Sequence, residues 1–262
     1  MTIERKRPYG YMSAEPKERE WIDMPKGQNI SGYGVGILHL DDVWYPMVPG
    51  NVVNAWTYDF PVRLKAVKGL DTPTLHSGSP EVFELILAAA KELEKEGCRA
   101  ISAACGFFGH FHRQLADEMD MPVGLSSLVQ IPWIRATMKT GSRIGILTAN
   151  AAAVSDSLLQ QCGVTGSDDL VIADLRHGEN FSAIMEDRGS FDNAGTRREV
   201  TEAARKLVEE DPRIGAILLE CSDMPPYAWA VQAVTGRPVY DFITLIRWLN
   251  NAAMQRPYDG WI

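Results

Sequence analysis

Two cysteines in the chain occur in a setting that suits acid–base chemistry at carbon. Cys105 follows the apolar run Arg99–Ala104, and Cys221 follows the run Ile214–Glu220. Each run has the length and composition of a buried parallel strand, and ligands bind beyond the carboxyl ends of such strands. One thiolate can remove a proton from carbon, and an opposite thiol can return one to the other face. If the two cysteines face one cleft, they predict inversion of a stereocentre without a cofactor.

Such a site must adjust the pKa of its thiols and stabilise the negative charge that develops on the substrate. A free thiol has a pKa of about 8.5, and a proton next to a carboxylate is far less acidic, so preorganised donors are required. The candidate substrate-binding residues lie at or near predicted strand ends and in the loops that follow them: His39, Asn51, Asn54, Gly106, Phe107, Ser126, Ser127, Thr148, Ser222 and Asp223. For the hydroxyl and amide side chains, the alternative is an ordinary turn or cap role. For His39 the alternative is a satisfied strand-end residue.

A weak internal repeat supports the equivalence of the two cysteines. The triplet Gly36-Ile37-Leu38 recurs as Gly145-Ile146-Leu147, 109 residues later. The pair Ala100-Ile101 recurs 116 residues later, and Cys105 and Cys221 are separated by the same 116 residues. Each cysteine therefore follows the corresponding strand of its own half by the same distance. The alternative is chance recurrence among common apolar residues.

The elements that must position the cysteines alternate along the chain. Predicted strands cover 35–40, 63–67, 99–104, 123–125, 143–148, 170–175 and 214–220, and predicted helices cover 81–96, 111–119, 128–139, 152–162 and 194–210. A short strand and an amphipathic helix are predicted within 239–255. This alternation predicts an α/β fold in which parallel sheets have helices on both faces. Residues 1–33 are charged and rich in Pro and Gly, which predicts an irregular arm over the surface that crosses to a partner subunit.

Composition narrows the classes of partner and compartment. The chain has 262 residues and a formal net charge of −8, which argues against nucleic acid or an anionic membrane as the main partner. No run approaches the roughly 18 apolar residues of a membrane span, and the first residues lack the apolar segment of a secretory signal. Four cysteines are too few for a disulfide scaffold. The expectation is a cytoplasmic protein with some free thiols.

The cysteine segments resemble the aspartate/glutamate racemase superfamily, which includes amino-acid racemases, hydantoin racemases, maleate isomerases and arylmalonate decarboxylases. The stretches that carry the resemblance are Gly34–Leu38, Pro49–Asn54, Ser102–Phe107, Ser126–Trp133, Arg143–Thr148 and Glu220–Ala228. The segments Pro49–Asn54 and Ser126–Trp133 are similar to one poorly characterised branch. The chain departs from glutamate racemases at Ser222-Asp223, where those enzymes carry Thr-His, and at His39–Asp42, where they carry an early Asp-Ser pair.

The resemblance implies two pseudosymmetric α/β domains with the active site in the cleft between them. The first domain would comprise 34–127 plus 239–262, because the C-terminal segment returns to it, and the second would comprise 128–238. Cys105 and Cys221 would be the two acid/base residues of a racemase or epimerase, an isomerase that uses no cofactor and no metal. The substrate would be a small carboxylate such as an amino acid, and the protein would be a homodimer or higher homo-oligomer.

Three alternatives stay open at this point. The same scaffold could isomerise an unsaturated diacid, or it could decarboxylate one. The cleft could also bind a carboxylate without turnover.

Overall fold

The computed structural model describes Met12 and residues 22–262, which form two four-stranded parallel sheets. The first sheet contains β1 (Val35–Leu40), β2 (Val62–Val67), β3 (Ala100–Ala104) and β4 (Val123–Gly124). The second contains β5 (Arg143–Thr148), β6 (Leu170–Asp174), β7 (Ile214–Leu219) and β8 (Val239–Tyr240). Both sheets have the same strand order, namely second, first, third and fourth. The predicted α/β class with parallel sheets is confirmed.

The repeated sequence motifs occupy equivalent positions in the two sheets. Gly36 of β1 is in register with Ile101 of β3, and Gly145 of β5 is in register with Ile217 of β7. The central strands are almost entirely buried because helices cover both faces of each sheet, which explains why they are continuous apolar runs. The internal repeat therefore corresponds to an equivalent pair of neighbouring strands in each sheet, β1 with β3 and β5 with β7.

Helices follow most strands and cover the sheets. Their bounds are α1 (Thr72–Ser77), α2 (Phe83–Lys95), α3 (His112–Glu118), α4 (Ile131–Thr137), α5 (Asp156–Gln161), α6 (Ser182–Met185), α7 (Asn193–Glu210), α8 (Ala228–Thr235) and α9 (Phe242–Ala253). Apolar side chains at helical spacing turn one side of α2 toward the core, where Ile86 and Leu93 are fully buried. Asp192 accepts a hydrogen bond from the Ala194 N–H and so caps α7.

Several short helices were not predicted from the sequence, and one predicted helix is broken. The predicted helix at 152–162 is a 3-10 turn at 151–153 followed by α5, which Ser155 caps. The segments α1, α6 and α8 are too short to show a clear helical period. For α1, however, Asp71 is an N-cap and Pro73 lies in the first turn, which is a recognisable start signal.

The C-terminal segment joins the two sheets. Strand β8 pairs with β7 of the second sheet, whereas α9 packs on the first sheet. Phe242, Leu245 and Leu249 of α9 are buried in one cluster with Val35 and Ile37 of β1. Burying each such side chain contributes about 1.5–3 kcal/mol. The predicted domain limits stay a prediction.

The predicted N-terminal arm lies mostly outside the described residues, which leave out 1–11 and 13–21. The described part from 22 to 33 contains neither helix nor strand. Among the described residues, none of the helices combines the length and the apolar composition that a bilayer crossing requires.

Candidate active site

Both cysteines singled out by the sequence line the same cavity. Cys105 directly follows β3 of the first sheet, and Cys221 lies two residues beyond β7 of the second. Gly106, Phe107, Ser222 and Asp223 line the cavity with them, as expected for residues beyond the carboxyl ends of parallel strands. The two sheets therefore place two thiols in one site.

Cys105 immediately precedes the 3-10 turn Gly106–Phe111, and the backbone N–H of Phe107 acts to lower the pKa of the Cys105 thiol. The backbone of Cys105 has a φ of 154°, which residues with a side chain rarely adopt. Such strain is typical of functional positions, where the surrounding structure compensates it. The Nε2 atom of His76 on α1 lies 3.8 Å from the Cys105 Sγ. Cys105 thus has a backbone donor on one side and an imidazole on another.

Cys221 has a corresponding backbone donor but a different side-chain partner. The backbone N–H of Asp223 acts to lower the pKa of the Cys221 thiol, and this thiol donates a hydrogen bond to Asp223 Oδ2 at 3.5 Å. The same carboxylate accepts hydrogen bonds from the Tyr45 hydroxyl at 3.3 Å and from the Asn51 amide. Asp223 is therefore held by three donors from two separate segments of the chain.

The electrostatic setting raises the pKa of both thiols when no ligand is bound. Burial is the main cause that raises the pKa of Cys105, and the negative charge of Glu220 raises it further. Burial also raises the pKa of Cys221, followed by the charges of Asp223 and Glu220. Because the opposing charges are carboxylates, a cation bound in this cavity would favour formation of a thiolate.

Glu220 is a fully buried carboxyl group in the cavity lining. The Thr148 hydroxyl donates to its Oε2 at 2.7 Å, whereas its Oε1 has no hydrogen-bond partner among the described residues. Burial raises the pKa of Glu220 to about 7. A Cβ on Gly106 would lie 1.6 Å from Oε1, so only glycine fits there. Glu220 of the second half thus lies directly against the loop that carries the first thiol.

The lining of the cavity is acidic and aromatic. Its acidic and ring-bearing side chains are Tyr45, His76, Phe107, Asp187, Glu220 and Asp223, and among the residues that the structure describes the lining includes neither Lys nor Arg. Carboxylates and aromatic faces both attract cations, and a cation–π contact contributes about 0.5–2 kcal/mol. The arrangement suits a small ligand that carries a positive charge near the two thiols.

Three of the predicted binding residues do not line the cavity themselves, but they form hydrogen bonds that hold the residues of its acidic wall. Asn51 holds Asp223, and Thr148 holds Glu220. The Ser127 hydroxyl donates to the carbonyl oxygen of Leu219 at 3.0 Å, just before Glu220. These side chains are buried and position the acidic wall of the cavity.

Three other predicted binding residues do not line this cavity. His39 Nδ1 donates to the carbonyl oxygen of its neighbour Leu40 at 2.7 Å. Asn54 caps a 3-10 turn by accepting from the Trp56 N–H, and Ser126 caps another. These particular hydrogen bonds are local, because residues at strand ends and turns must also satisfy nearby backbone groups.

The sequence analysis missed Tyr45, His76 and Glu220 as cavity residues. Glu220 had a signal, because an acidic side chain at the end of an apolar strand is buried at a cost and usually has a reason to be there. Tyr45 lies in the loop after β1, and nothing in its sequence context marks its contact with Asp223. His76 lies on α1, whose start signal was not used.

The sequence of the chain matches curated proteins over nearly its whole length. A dimethylsulfoniopropionate lyase from Durusdinium sp. clade D is 32% identical over 258 residues, which are 96% of this chain and 85% of that protein. The chain belongs to the dimethylsulfoniopropionate lyase family. Dimethylsulfoniopropionate lyase 7 from Emiliania huxleyi is 29% identical and covers 86% of this chain and 69% of its own length. No family model matches the chain.

The fold of this family member is that of the aspartate/glutamate racemase superfamily. A mutant of arylmalonate decarboxylase in a sulfate-associated form superposes with a TM-score of 0.56 at 20% identity, covering 87% of this chain and 97% of that one. Allantoin racemase from Pseudomonas fluorescens gives a TM-score of 0.56 at 13% identity, covering 87% and 99%. Aspartate and glutamate racemases superpose as well. The resemblance found in the sequence is confirmed for the fold.

The expected reaction, in contrast, is wrong. The curated relatives that match most of the chain carry the name of a lyase, so neither a racemase nor the isomerase class is supported. The same names speak against the diacid isomerase, the diacid decarboxylase and the pure binding protein. The error has a physical reason: the motifs report strand ends and cysteine positions that the whole fold shares, whereas the reaction depends on the remaining lining of the cavity.

Proposed function

We propose that this protein cleaves dimethylsulfoniopropionate by β-elimination. The substrate named for its relatives carries a dimethylsulfonium cation at one end and a carboxylate at the other. A base removes the proton on the carbon next to the carboxylate, and the C–H electrons form the new C=C bond. The C–S bond breaks and its electrons leave with sulfur. The products are dimethyl sulfide, acrylate and one proton, so atoms and charge balance.

The observation that carries this proposal is the acidic, aromatic lining around two thiols. Glu220 and Asp223 are the carboxyl groups that a bound cation would hold in their negative form, and the rings of Tyr45 and Phe107 supply polarisable faces for the sulfonium. A simple carboxylate ligand would be repelled by such a wall, whereas a zwitterion with its cation against the wall would be attracted. The neutral hydroxyls of Thr72 and Ser222 also line the cavity, and they are the donors to which we assign the substrate carboxylate.

The bound cation also makes the base. The pKa of each thiol is raised by burial and by neighbouring carboxylates. A sulfonium placed near them offsets the negative charge, which lowers the pKa of a nearby thiol and favours the thiolate. Proton removal then begins only when substrate is bound. In this proposal Cys105 and Cys221 are the catalytic pair, one as the base and the other as a donor to the charge that develops beside the carboxylate.

The leaving group explains why the same scaffold need not racemise its substrate. A racemase returns a proton to the carbanion from the opposite side, so it needs two equivalent bases. Here a good leaving group stands on the adjacent carbon, and loss of dimethyl sulfide consumes the carbanion before a proton returns. One base is enough, and the two thiols are free to differ.

The test is a direct assay of the purified protein with dimethylsulfoniopropionate. Dimethyl sulfide is measured in the headspace by gas chromatography, and acrylate is measured in solution by proton NMR. We expect the two products in equal amounts. A folded protein that forms neither product at millimolar substrate overturns the proposal, and acrylate without dimethyl sulfide overturns the elimination.

The compartment and the assembly are part of the proposal. We place the protein in the cytoplasm, since Cys105, Cys162 and Cys221 are free thiols and a reducing compartment keeps them so. We also propose a homo-oligomer, because Trp133, Trp229 and Trp248 are exposed to more than half of their surface. Light scattering during size-exclusion chromatography tests the assembly, and a monomer at micromolar concentration would contradict it.

A further inference from the structure

Cys105 lies beside His76, which no motif in the sequence connects with it. His76 Nε2 is 3.8 Å from the thiol sulfur, and the imidazole packs on the Phe107 ring with the ring centres 4.0 Å apart. The ring is partly buried, and it lines the same cavity as the thiol. Packing on one face and a sulfur at one end restrict the orientation of the imidazole.

The second nitrogen of the imidazole meets a buried amide. Asn150 Nδ2 lies 3.3 Å from His76 Nδ1, and Asn150 Oδ1 has no hydrogen-bond partner among the described residues. Rotation of this amide by half a turn places Oδ1 against Nδ1, where it accepts the Nδ1 proton. The proton on Nδ1 leaves Nε2 as the acceptor that faces the thiol. The amide therefore gives the imidazole the tautomer that can take a proton from Cys105.

We propose that His76, held by Asn150, is a positioning residue that accepts the proton of Cys105 and makes Cys105 the more readily ionised thiol of the pair. The proton moves from Sγ to Nε2, which leaves a thiolate beside an imidazolium, with no change in oxidation state. The inference rests on the proposed function only where it assigns the base of the elimination to Cys105; the pairing of thiol and imidazole exists without substrate.

The second thiol lacks this arrangement. Cys221 donates to the carboxylate of Asp223, whose negative charge opposes a thiolate beside it. The charged and titratable groups that act on Cys105 and His76 are Glu220, Asp223, Arg176 and His110. Burial lowers the pKa of His76 to about 4, with Arg176 and His110 acting in the same direction. At neutral pH the imidazole is thus uncharged, and a negative thiolate at Cys105 would act against this lowering once the proton has moved.

The test measures the ionisation of each thiol without substrate. The intact protein is treated with iodoacetamide from pH 6 to 9, and alkylation of Cys105 and Cys221 is followed by peptide mass spectrometry. In the unmodified sequence we expect Cys105 to react faster than Cys221 at pH 7. His76→Gln slows Cys105 about tenfold at pH 7 and moves its pH profile upward, since thiolate, not thiol, is the nucleophile. Asn150→Ala slows it about threefold, because the tautomer is no longer fixed.

Matched controls separate this role from a structural one. His112→Gln alters another partly buried histidine, which does not line the cavity, and should leave both rates within about twofold. If Cys105 keeps its rate and pH profile in His76→Gln, or if Cys221 slows equally, the inference is overturned. Slower reaction of Cys221 than of Cys105 in the unmodified protein is required as well, and the reverse order would also overturn it. None of these outcomes depends on release of dimethyl sulfide, so failure of the proposed reaction would be seen separately.

Discussion

The loops that follow β3 and β7 occupy equivalent positions but carry opposite chemistry. With the offset of 116 residues, Ala104, Gly106 and Phe107 of the first loop correspond to Glu220, Ser222 and Asp223 of the second. In both loops, the backbone N–H of the residue two positions after the cysteine acts to lower the pKa of the thiol. Otherwise the first loop is small and apolar, and the second is acidic. A duplicated scaffold therefore holds two thiols in one cavity with unlike surroundings.

This difference bears on the reaction. An enzyme that handles both mirror forms of a substrate needs similar groups on both sides of the reacting carbon. A cavity with one acidic wall and one apolar, aromatic wall instead suits a substrate whose two ends differ in charge. The asymmetry agrees with the proposed elimination from a zwitterion, and it was invisible while the two cysteines were compared alone.

The largest effect is expected from replacing either thiol. Cys105→Ser and Cys221→Ser should each lower kcat/KM for dimethyl sulfide release by about 10³-fold or more, because a hydroxyl at neutral pH is neither a base nor an acid of matched pKa. Cys98→Ala is the matched control, since Cys98 is a buried cysteine that does not line the cavity. Retained activity in one serine variant would show that only the other thiol matters.

Glu220 has no acidic counterpart in the first half, and its removal should change how stability depends on pH. Its pKa is about 7 in the fold and 4.5 as a free side chain, so the folded state favours the protonated form. That contribution is fully present below pH 4.5 and is lost as the pH rises to 7. The loss approaches about 3 kcal/mol.

Glu220→Gln mimics the protonated form and should remove this loss. Urea unfolding at pH 5 and pH 8 measures it as the difference between the two proteins, which cancels the titration of all other groups. We expect the glutamine variant to gain stability relative to the unmodified sequence on going from pH 5 to pH 8. An equal pH dependence in both proteins would mean that Glu220 is not a titrating buried acid.

Asp223→Asn keeps most of the shape of the acidic wall but removes a charge. We expect KM for dimethylsulfoniopropionate to rise about tenfold, which corresponds to about 1.4 kcal/mol of lost attraction for the cation. Steady-state kinetics at constant ionic strength measures the change. Asp241→Asn is the control, because Asp241 is also buried but caps α9. A similar KM in both variants would assign the effect to general loss of packing.

His39→Gln should have the smallest effect. His39 was a predicted binding residue, but its imidazole bonds to the adjacent backbone and does not line the cavity. We expect kcat and KM to change by less than about twofold. A clear rise in KM without a change in kcat would show that His39 contacts the substrate. The comparison of the two halves would then include this residue of β1.

The sequence was sufficient to predict most of the fold, because the central strands are almost entirely buried and are therefore continuous apolar runs. The register of Gly36 with Ile101 and of Gly145 with Ile217 follows from the same repeat that first paired the cysteines. Short helices such as α1 were not predicted, because six residues contain too few turns to show a helical period of apolar residues. Because α1 was not predicted, His76 was not recognised as a candidate site residue.

The lining of the cavity was harder to predict than the scaffold. Tyr45 and Asn51 reach Asp223 across more than 170 positions in sequence, and only folding brings such partners together. Ser126 and Asn54 have the residue types of a carboxylate site, yet both satisfy backbone groups within two residues. Residue type and strand-end position indicate where a site lies, but charge balance within the site decides which substrate it accepts.

The path of the last helix limits how this protein can be divided. The strand β8 completes one sheet, and after a single residue, Asp241, the helix α9 covers the other. A chain cut after Tyr240 would leave Val35 and Ile37 facing water, so neither half is a portable module. One half could be exchanged between relatives only if α9 is exchanged together with the sheet that it covers. Because of this requirement, the two halves must evolve together.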